Sequence, residues 1–348
     1  MRILGIETSA DDTGITLIEA SGSFGVDFRF EILSHAVSTQ TVHADYGGIF
    51  PAMAKREHAK NLPILFGKVT DEAGSDIDTI AVTHGPGLEP CLWTGINFAQ
   101  ELAKKRDLPI VGVNHMEGHI VMAMAEKGKL ATFEFPVLSL LVSGGHTQLV
   151  LSERFQHYSI IGSTRDDAVG EAYDKVARML DLPYPGGPQI SWLAEEARTR
   201  DLRSDVVLPR PMINEDNFDF SFSGLKTAVL RATEGKTLSD DEKSRIAREF
   251  EDACADVIAT KTLRAADENG VATVVVGGGV SANTNLRREL AEKLHAHGYK
   301  LLLCDPKYSG DNALMIALAG YFRALNNPPA GGFIAPEDLK ANGALKLS

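Results

Sequence analysis

Two stretches of the sequence repeat one pattern, and this repeat constrains the fold more than any other feature. Residues 3–7 and 14–18 are apolar and β-prone, and they flank a polar turn at 8–13. Residues 137–142 and 147–151 flank a second short turn in the same way, about 135 residues later. Apolar runs of this length, bounded by turn residues, predict strands. Each pair therefore predicts a hairpin, and the repeat predicts two related lobes rather than one sheet.

Helix and strand signals alternate between the two hairpins and again after the second. This alternation predicts an α/β architecture in two lobes. The predicted boundaries are lobe I at 1–134 with 305–325, lobe II at 135–304, and a flexible tail at 326–348 that begins with Asn, Pro and Gly residues typical of a loop. Strands are predicted at 77–83, 109–113, 271–276 and 300–303, and helices at 93–106, from Ser239 onward, at 283–295 and at 312–324.

The chain is acidic, with 35 Lys and Arg residues against 47 Asp and Glu residues over 348 positions. This balance argues against a protein that coats nucleic acid by bulk charge, although the arginines between positions 198 and 210 allow a local path for a polyanion. Three cysteines without a CxxC pair favour a reducing compartment. The first residues already form a predicted strand, and the longest apolar run, 135–142, is shorter than the ~20 residues of a membrane span. We therefore expect a cytoplasmic protein with no membrane segment.

Three turns rich in glycine or hydroxyl residues follow predicted strands, at 8–13, 143–145 and 277–283. Backbone N–H groups reach a phosphate only where side chains leave room, so small residues favour a phosphate site. One such turn alone is equally typical of an ordinary tight turn. Three of them, two on matching hairpins, favour a nucleotide held between two lobes. The chain has neither the GxxxxGKS or GxxxxGKT sequence of a P-loop nor a complete GxGxxG dinucleotide motif.

The sequence HMEGH places His115 and His119 four residues apart, on one face of a predicted helix, as a metal pair requires. The same spacing also suits two histidines without a metal. Glu117 projects roughly 200° around the helix from His115, so the His-Glu-x-x-His geometry of a metalloprotease is not encoded. Asp311, at the head of a predicted helix, is the best third ligand, although aspartate there is also an ordinary N-cap.

Further carboxylates accompany the turns. Asp11 and Asp12 lie at the tip of the first hairpin, where a carboxylate can act as a general base or hold a metal-bound water, or can simply serve the turn. Asp174 follows Gly170 on a predicted helix. Its carboxylate suits the two hydroxyls of a ribose, and equally a solvated helix face.

The motifs together resemble one family, the tRNA threonylcarbamoyladenosine synthases of the TsaD/Gcp type, over about residues 1–325. The resemblance implies the actin-like, sugar-kinase-like (ASKHA) α/β fold, with two lobes around a nucleotide cleft. The matching segments are GIETSADDTG (5–14), HADYGG (43–48), GPGL (85–88), HMEGH (115–119), LVSGGHT (141–147), YPGGP (184–188), DFSFSGLKT (219–227), GGVSAN (278–283) and DN (311–312).

The resemblance implies transfer of a threonylcarbamoyl group from threonylcarbamoyl-AMP to the exocyclic amine of adenosine 37, in tRNAs that read codons beginning with A. It assigns one divalent metal, iron(II) or alternatively zinc, to His115, His119 and Asp311. It makes Asp11 and Asp12 the essential acidic residues, with Asp11 as our candidate for proton removal. The implied partners are tRNA, a smaller actin-like paralogue and a P-loop ATPase. The implied substrate-binding residues are Leu141, Val142, Ser143, Gly144, Gly145, Asp174, Gly187 and Asn283.

The sequence departs from the family pattern at several positions. Ala52 stands where the family has a carboxylate, Ala10 where it has a cysteine, and the bacterial C-terminal Arg-Pro-Arg-Trp-Pro is missing. We expect the changes near Ala52 and in the tail to affect partner contacts, with a dimer face around 52–65. Two alternatives remain open: a small-molecule kinase of the same fold, which would not need the histidine pair, and a non-catalytic scaffold that binds nucleotide and a partner.

Overall fold

The computed structural model describes residues 1–325 and 333–347. The chain divides into two compact units, Met1–Thr132 with Gly310–Leu347, and Phe133–Ser309. Of the segment predicted to be a flexible tail, residues 326–332 and 348 lie outside the described residues. The strands are β1 (Arg2–Glu7), β2 (Asp12–Ser21), β3 (Arg29–Thr39), β4 (Thr79–Gly85), β5 (Ile110–Asn114), β6 (Ala125–Glu126), β7 (Lys129–Leu130), β8 (Val137–Val142), β9 (Thr147–Arg154), β10 (His157–Ser163), β11 (Thr273–Gly277) and β12 (Lys300–Leu303). The helices are α1 (Pro51–Ala73), α2 (Glu89–Arg106), α3 (His115–Met124), α4 (Val169–Met179), α5 (Gly186–Thr199), α6 (Ser223–Thr233), α7 (Asp240–Glu268), α8 (Thr284–Ala296) and α9 (Ala313–Leu325).

The first unit is built on a five-stranded sheet of order β3-β2-β1-β4-β5. The β1–β2 hairpin is antiparallel, whereas β1, β4 and β5 run parallel, so the carboxyl ends of these three strands lie at one edge. Side chains alternate between the two faces of a strand. Leu4 and Ile6 of β1 accordingly join one core cluster with Leu62 of α1 and Ile96 of α2.

The other face of β1 receives α9. A Cβ on Gly5 would lie 2.2 Å from the carbonyl oxygen of Ala313, and one on Gly14 would lie 2.8 Å from its backbone nitrogen. Real Cβ atoms do not approach so closely, so the helix can begin directly on the β1–β2 hairpin only because both positions are glycine. This contact fixes where the residues just before α9 lie.

The second unit repeats the sheet with the order β10-β9-β8-β11-β12. Here too a hairpin, β8–β9, is antiparallel, and β8, β11 and β12 are parallel. Its core combines strand residues such as Leu138 and Val276 with Phe250 of α7, a helix that begins with a complete capping box between Ser239 and Glu242. Both predicted hairpins are confirmed, as is the α/β class of the fold.

Residues 333–347, within the segment expected to be flexible, pack on the first unit. Ile334 pairs with Ile110 in an antiparallel bridge, and Leu339 is buried. The Asn342 N–H donates to the His84 carbonyl at 2.8 Å. Within the described residues, none of the helices combines the length and apolar character needed to cross a membrane.

Candidate metal centre

Three predicted ligands come together in the first unit. His115 and His119 lie on α3, and Asp311 lies just before α9. The Oδ1 atom of Asp311 is 3.4 Å from His115 Nε2 and 3.2 Å from His119 Nε2. The two imidazole rings stand nearly perpendicular, with centroids 4.7 Å apart. Both histidines are buried.

The position of the histidines follows from the end of β5. Asn114 ends the strand, and its Oδ1 accepts hydrogen bonds from the backbone N–H groups of Met116 (2.9 Å) and Glu117 (3.4 Å). This N-cap starts α3 at His115, and His119 follows four residues later on the same face. Asn114 is a positioning residue that the sequence analysis missed, although an Asn directly before a helix is a recognised N-cap signal.

The position of Asp311 follows from the start of α9. The Oδ1 of Asn312, rather than Asp311, accepts from the Met315 N–H at 3.2 Å and so caps the first turn. The sequence alone allowed Asp311 to be an ordinary N-cap; in the structure its carboxylate faces the two imidazoles instead. The close approach of α9 at Gly5 brings it there.

The three residues fit a divalent transition metal. Their ligand atoms all lie within 4.8 Å of one another. Two atoms that each lie about 2.1 Å from a tetrahedral metal are about 3.4 Å apart, close to the 3.4 and 3.2 Å that separate Asp311 Oδ1 from the two imidazole nitrogens. Among the described residues, the buried His119 Nε2 faces Asp311 Oδ1 at 3.2 Å but makes no hydrogen bond of good geometry. A buried polar atom without a partner is costly, and a metal ion would satisfy it. Two imidazoles and a carboxylate suit iron or zinc.

Charges around the triad are strongly coupled. Burial opposes the charged form of every member, but the Asp311 and Glu7 carboxylates outweigh it at His115 and raise the pKa of that imidazole well above its usual value. Burial would raise the pKa of Asp311, but the His115 charge and hydrogen bond hold it far below the usual range. At His119 burial dominates and lowers the pKa, which favours the neutral imidazole that a metal binds.

Asp11 and Asp12 lie at the tip of the β1–β2 hairpin, as predicted. Burial raises the pKa of Asp12 to about 7, and the nearby carboxylates of Asp311, Asp11 and Glu7 add to the effect, against a hydrogen bond with Thr39. In the described structure Asp12 Oδ1 is buried and has no hydrogen-bond partner. A carboxyl group in this state can accept a proton near neutral pH.

The hairpin tip is held by a histidine that the sequence analysis did not identify. His58, buried on α1, lies with Nε2 2.9 Å from the Ala10 carbonyl oxygen and with Nδ1 2.8 Å from Thr13 Oγ1. No spacing rule links a helix residue to a turn 48 positions earlier. The only available signal was a histidine within residues 52–65, the segment that the sequence analysis expected to form a dimer face.

Glu117 lies on the opposite side of α3 from the ligands. Its buried Oε2 pairs with Nε of Arg323 on α9 at 2.5 Å. Glu117 therefore connects the helix that carries the histidines to the helix that follows Asp311, and the geometry of a metalloprotease base is absent at this residue, as the sequence predicted.

In the second unit, the predicted substrate-binding residues Leu141 and Val142 end β8 and are buried. Ser143 closes the following turn, because its N–H donates to the His146 carbonyl at 2.8 Å. Gly144 and Gly145 are exposed, and a Cβ on either would meet nothing within 4 Å. The turn therefore presents backbone N–H groups that no side chain covers.

The polar side chains of two other predicted substrate-binding residues already hold helices in place. The Asp174 carboxylate on α4 accepts hydrogen bonds from the backbone N–H groups of Gly186, at 2.7 Å, and Gly187. It thereby holds the first turn of α5. Asn283 caps α8 through Leu286 N–H (2.8 Å), and its Nδ2 donates to Glu251 Oε1 at 2.6 Å. The Gly278 position lies against the Val142 carbonyl, so the ends of β8 and β11 meet at one edge.

Comparison with known proteins agrees with this fold. The chain superposes on the crystal structure of HypF from T. kodakarensis with a TM-score of 0.61 and 13% identity, over 93% of this chain and 48% of that one. The chain thus spans about half the length of that protein, and at this identity the likeness shows the fold alone. The class is that of ASKHA-type α/β proteins, as predicted.

The sequence comparisons define the family. The TsaD model, described as tRNA N6-adenosine threonylcarbamoyltransferase, matches residues 31–318. A protein of that name from Aromatoleum aromaticum is 41% identical over 328 residues, covering 93% of this chain and 92% of its own length. One from Ralstonia pickettii is 42% identical over 337 residues, covering 94% of this chain and 93% of its own. The chain belongs to the TsaD family of tRNA N6-adenosine threonylcarbamoyltransferases.

Proposed function

We propose that the protein transfers the threonylcarbamoyl group of threonylcarbamoyl-AMP to the exocyclic amine of adenosine 37 in tRNAs that read codons beginning with A. The observation that carries the proposal is the convergence of His115, His119 and Asp311 in a chain of this family. The family assignment does not favour the kinase or the scaffold alternative, neither of which needs such a triad.

One divalent metal, iron(II) or zinc, is proposed to bind to the triad. When bound, such an ion supplies Lewis-acid stabilisation of negative charge on a donor oxygen. The residues contribute the ligand set: His115 and His119 through Nε2, and Asp311 through a carboxylate kept ionised by its depressed pKa. Burial excludes water from the two imidazoles and strengthens their electrostatic effect.

The donor phosphate is proposed to bind at the turn after β8. Ser143, Gly144 and Gly145 offer backbone N–H groups to an anion, with Leu141 and Val142 fixing the end of the strand. Asp174, Gly187 and Asn283 are proposed to complete the nucleoside site. Their hydrogen bonds support a role in shaping α5 and α8 around the donor, in addition to any direct contact.

The amine of adenosine 37 is a weak nucleophile because its lone pair is delocalised into the ring, so removal of its proton would assist attack. Asp11 and Asp12 are the proposed catalytic carboxylates. The pKa of about 7 at Asp12 supports this residue, rather than Asp11, as the proton acceptor. Orienting the donor and the amine would supply a further large part of the rate.

The proposed partners are tRNA, a smaller actin-like paralogue and a P-loop ATPase, all in the cytoplasm. Large apolar side chains on and beside α1 support a protein-binding face around residues 52–65. Ile64 and Phe50 are 61% and 54% exposed, and Tyr46 stacks on Phe50 with ring centroids 6.1 Å apart. Apolar groups exposed together are typical of protein interfaces.

The test is a transfer assay with the purified full chain, unmodified tRNA, threonylcarbamoyl-AMP and the proposed partners, read by nucleoside mass spectrometry. We expect threonylcarbamoyladenosine to form, to disappear with a chelator, and to be lost in His115→Ala. His157→Ala, which removes an exposed histidine of β10, is the matched control and should remain active. A folded protein that binds nucleotide but yields no product with any partner set would favour the scaffold alternative.

A further inference from the structure

We propose that Glu7 is a positioning residue of the metal centre, which fixes His115 in the tautomer that leaves Nε2 available to the metal. The inference rests on the proposed metal site, and concerns a residue outside the ligand set. Glu7 is fully buried at the carboxyl end of β1. A carboxylate in such a place needs a reason, because burial of an unpaired charge costs several kcal/mol.

The two nitrogens of His115 face different partners. Nδ1 lies 3.3 Å from Glu7 Oε2, whereas Nε2 lies 3.4 Å from Asp311 Oδ1. One imidazole nitrogen therefore belongs to the ligand cluster and the other to Glu7. In metal sites the hydrogen bond made by the second nitrogen sets the tautomer and the orientation of the ring.

Glu7 is held as an ionised acceptor. The Ser9 N–H donates to Oε1 at 2.6 Å, and the Thr83 hydroxyl donates to Oε2 at 2.5 Å. An ionised carboxylate can only accept hydrogen bonds. A nitrogen that faces it is therefore favoured as the donor. When a metal takes the lone pair of Nε2, the one remaining ring proton of His115 lies on Nδ1, opposite Glu7.

A second group near Nδ1 makes the inference testable. The Ser9 hydroxyl lies 3.1 Å from His115 Nδ1, and a hydroxyl can either donate or accept. Ser9 is therefore compatible with both tautomers and selects neither. Only the Glu7 carboxylate imposes one.

The test measures the dissociation constant for Zn²⁺ alone, by competition with a chelator, in the full chain. In Glu7→Gln the side-chain amide can donate to Nδ1, which would shift the proton to Nε2 and block ligation. We expect a 10- to 100-fold weaker affinity, the range seen when such outer partners are lost. Ser9→Ala and Thr83→Val, which alter the same pocket but keep the carboxylate, should change the affinity by less than about threefold.

Thermal unfolding of each variant separates a local effect from loss of the fold. A folded Glu7→Gln that binds Zn²⁺ like the wild type overturns the inference, as does a Ser9→Ala variant that loses affinity as strongly. If His115→Ala also retains Zn²⁺ at this affinity, the proposed metal centre itself fails, which is a different outcome.

A measurement on the unaltered protein keeps the inference testable if Glu7→Gln does not fold. In Zn²⁺-loaded protein labelled with ¹⁵N-histidine, nuclear magnetic resonance distinguishes a protonated ring nitrogen from a ligating one, and His115→Asn assigns the signal. We expect a proton on Nδ1 of His115. Ligation through Nδ1, or a proton on Nε2, overturns the inference.

Discussion

The two units share one sheet order but place different chemistry at the corresponding edge. In the first unit, the strand ends carry buried ionisable groups: Glu7 is the last residue of β1, and His115 follows β5. In the second unit, the matching strand end carries the exposed glycines 144 and 145. A buried cluster of charges suits a fixed metal, whereas an open turn suits a ligand that comes and goes. The same topology is therefore compatible with the metal site that we propose in the first unit and the substrate site that we propose in the second.

The largest effect should come from adding a side chain to one glycine in each unit. Gly5→Val places side-chain atoms where Ala313 already lies, so we expect a loss of about 3–4 kcal/mol in the free energy of unfolding and a collapse of Zn²⁺ affinity. Gly144→Ala enters open space and should change stability by less than about 0.5 kcal/mol while weakening donor binding. Urea unfolding measures the stability of each variant, and Zn²⁺ competition measures its metal affinity. Equal destabilisation would contradict the comparison.

The next largest effect concerns buried ion pairs, which both units contain. Glu117–Arg323 joins α3 to α9, and Arg198–Glu251, at 2.6 Å, lies beneath Asn283. Removing one partner of a buried pair leaves an uncompensated charge, so Arg323→Gln and Arg198→Gln should each cost about 2–3 kcal/mol in urea unfolding.

The functional consequences of these two variants should differ. Arg323→Gln should weaken Zn²⁺ binding, since it loosens the contact between the two ligand-bearing segments, and Arg198→Gln should not. Calorimetric titration with a non-hydrolysable analogue of the donor should show weaker donor binding in Arg198→Gln and unchanged donor binding in Arg323→Gln. Loss of both affinities in both variants would show that the pairs act only through global stability.

A smaller effect follows from the pKa of about 7 at Asp12. Between the ordinary aspartate pKa of about 4 and this value, the folded state binds more protons than the unfolded state. Raising the pH through that window therefore lowers the free energy of unfolding. In metal-free protein, Asp12→Asn should reduce the difference in unfolding free energy between pH 6 and pH 8 by about 1–2 kcal/mol. An unchanged difference would place the pKa of Asp12 near its ordinary value.

The smallest effect belongs to the second unit. Asn283→Ala removes the N-cap of α8 and should cost about 1 kcal/mol in urea unfolding. Asn283→Asp keeps the capping oxygen but brings a carboxylate next to Glu251. We therefore expect this variant to keep the cap of α8 but to bind the donor more weakly than the wild type. Full recovery of donor binding in the aspartate variant would mean that Asn283 acts only through the helix.

Local patterns in the sequence predicted much of this structure. The two apolar runs and the turn of each hairpin lie close together in the sequence. The pairing of His115 with His119 follows from helical periodicity alone. The features that escaped prediction are long-range. Glu7 meets His115 across 108 positions, and Glu117 meets Arg323 across 206. No local pattern encodes such pairs. The packing of residues 333–347 on the first unit was also not predicted, because the Pro- and Gly-rich stretch before them resembles the start of a loose tail.

The most direct test of the account is anomalous diffraction from crystals of the metal-loaded protein, with the metal content measured on the same sample. We predict one peak per chain, about 2.1 Å from Nε2 of His115 and His119 and from a carboxylate oxygen of Asp311. A peak elsewhere, or full transfer activity in protein proved free of metal, would contradict the assignment of this triad as the centre of the reaction.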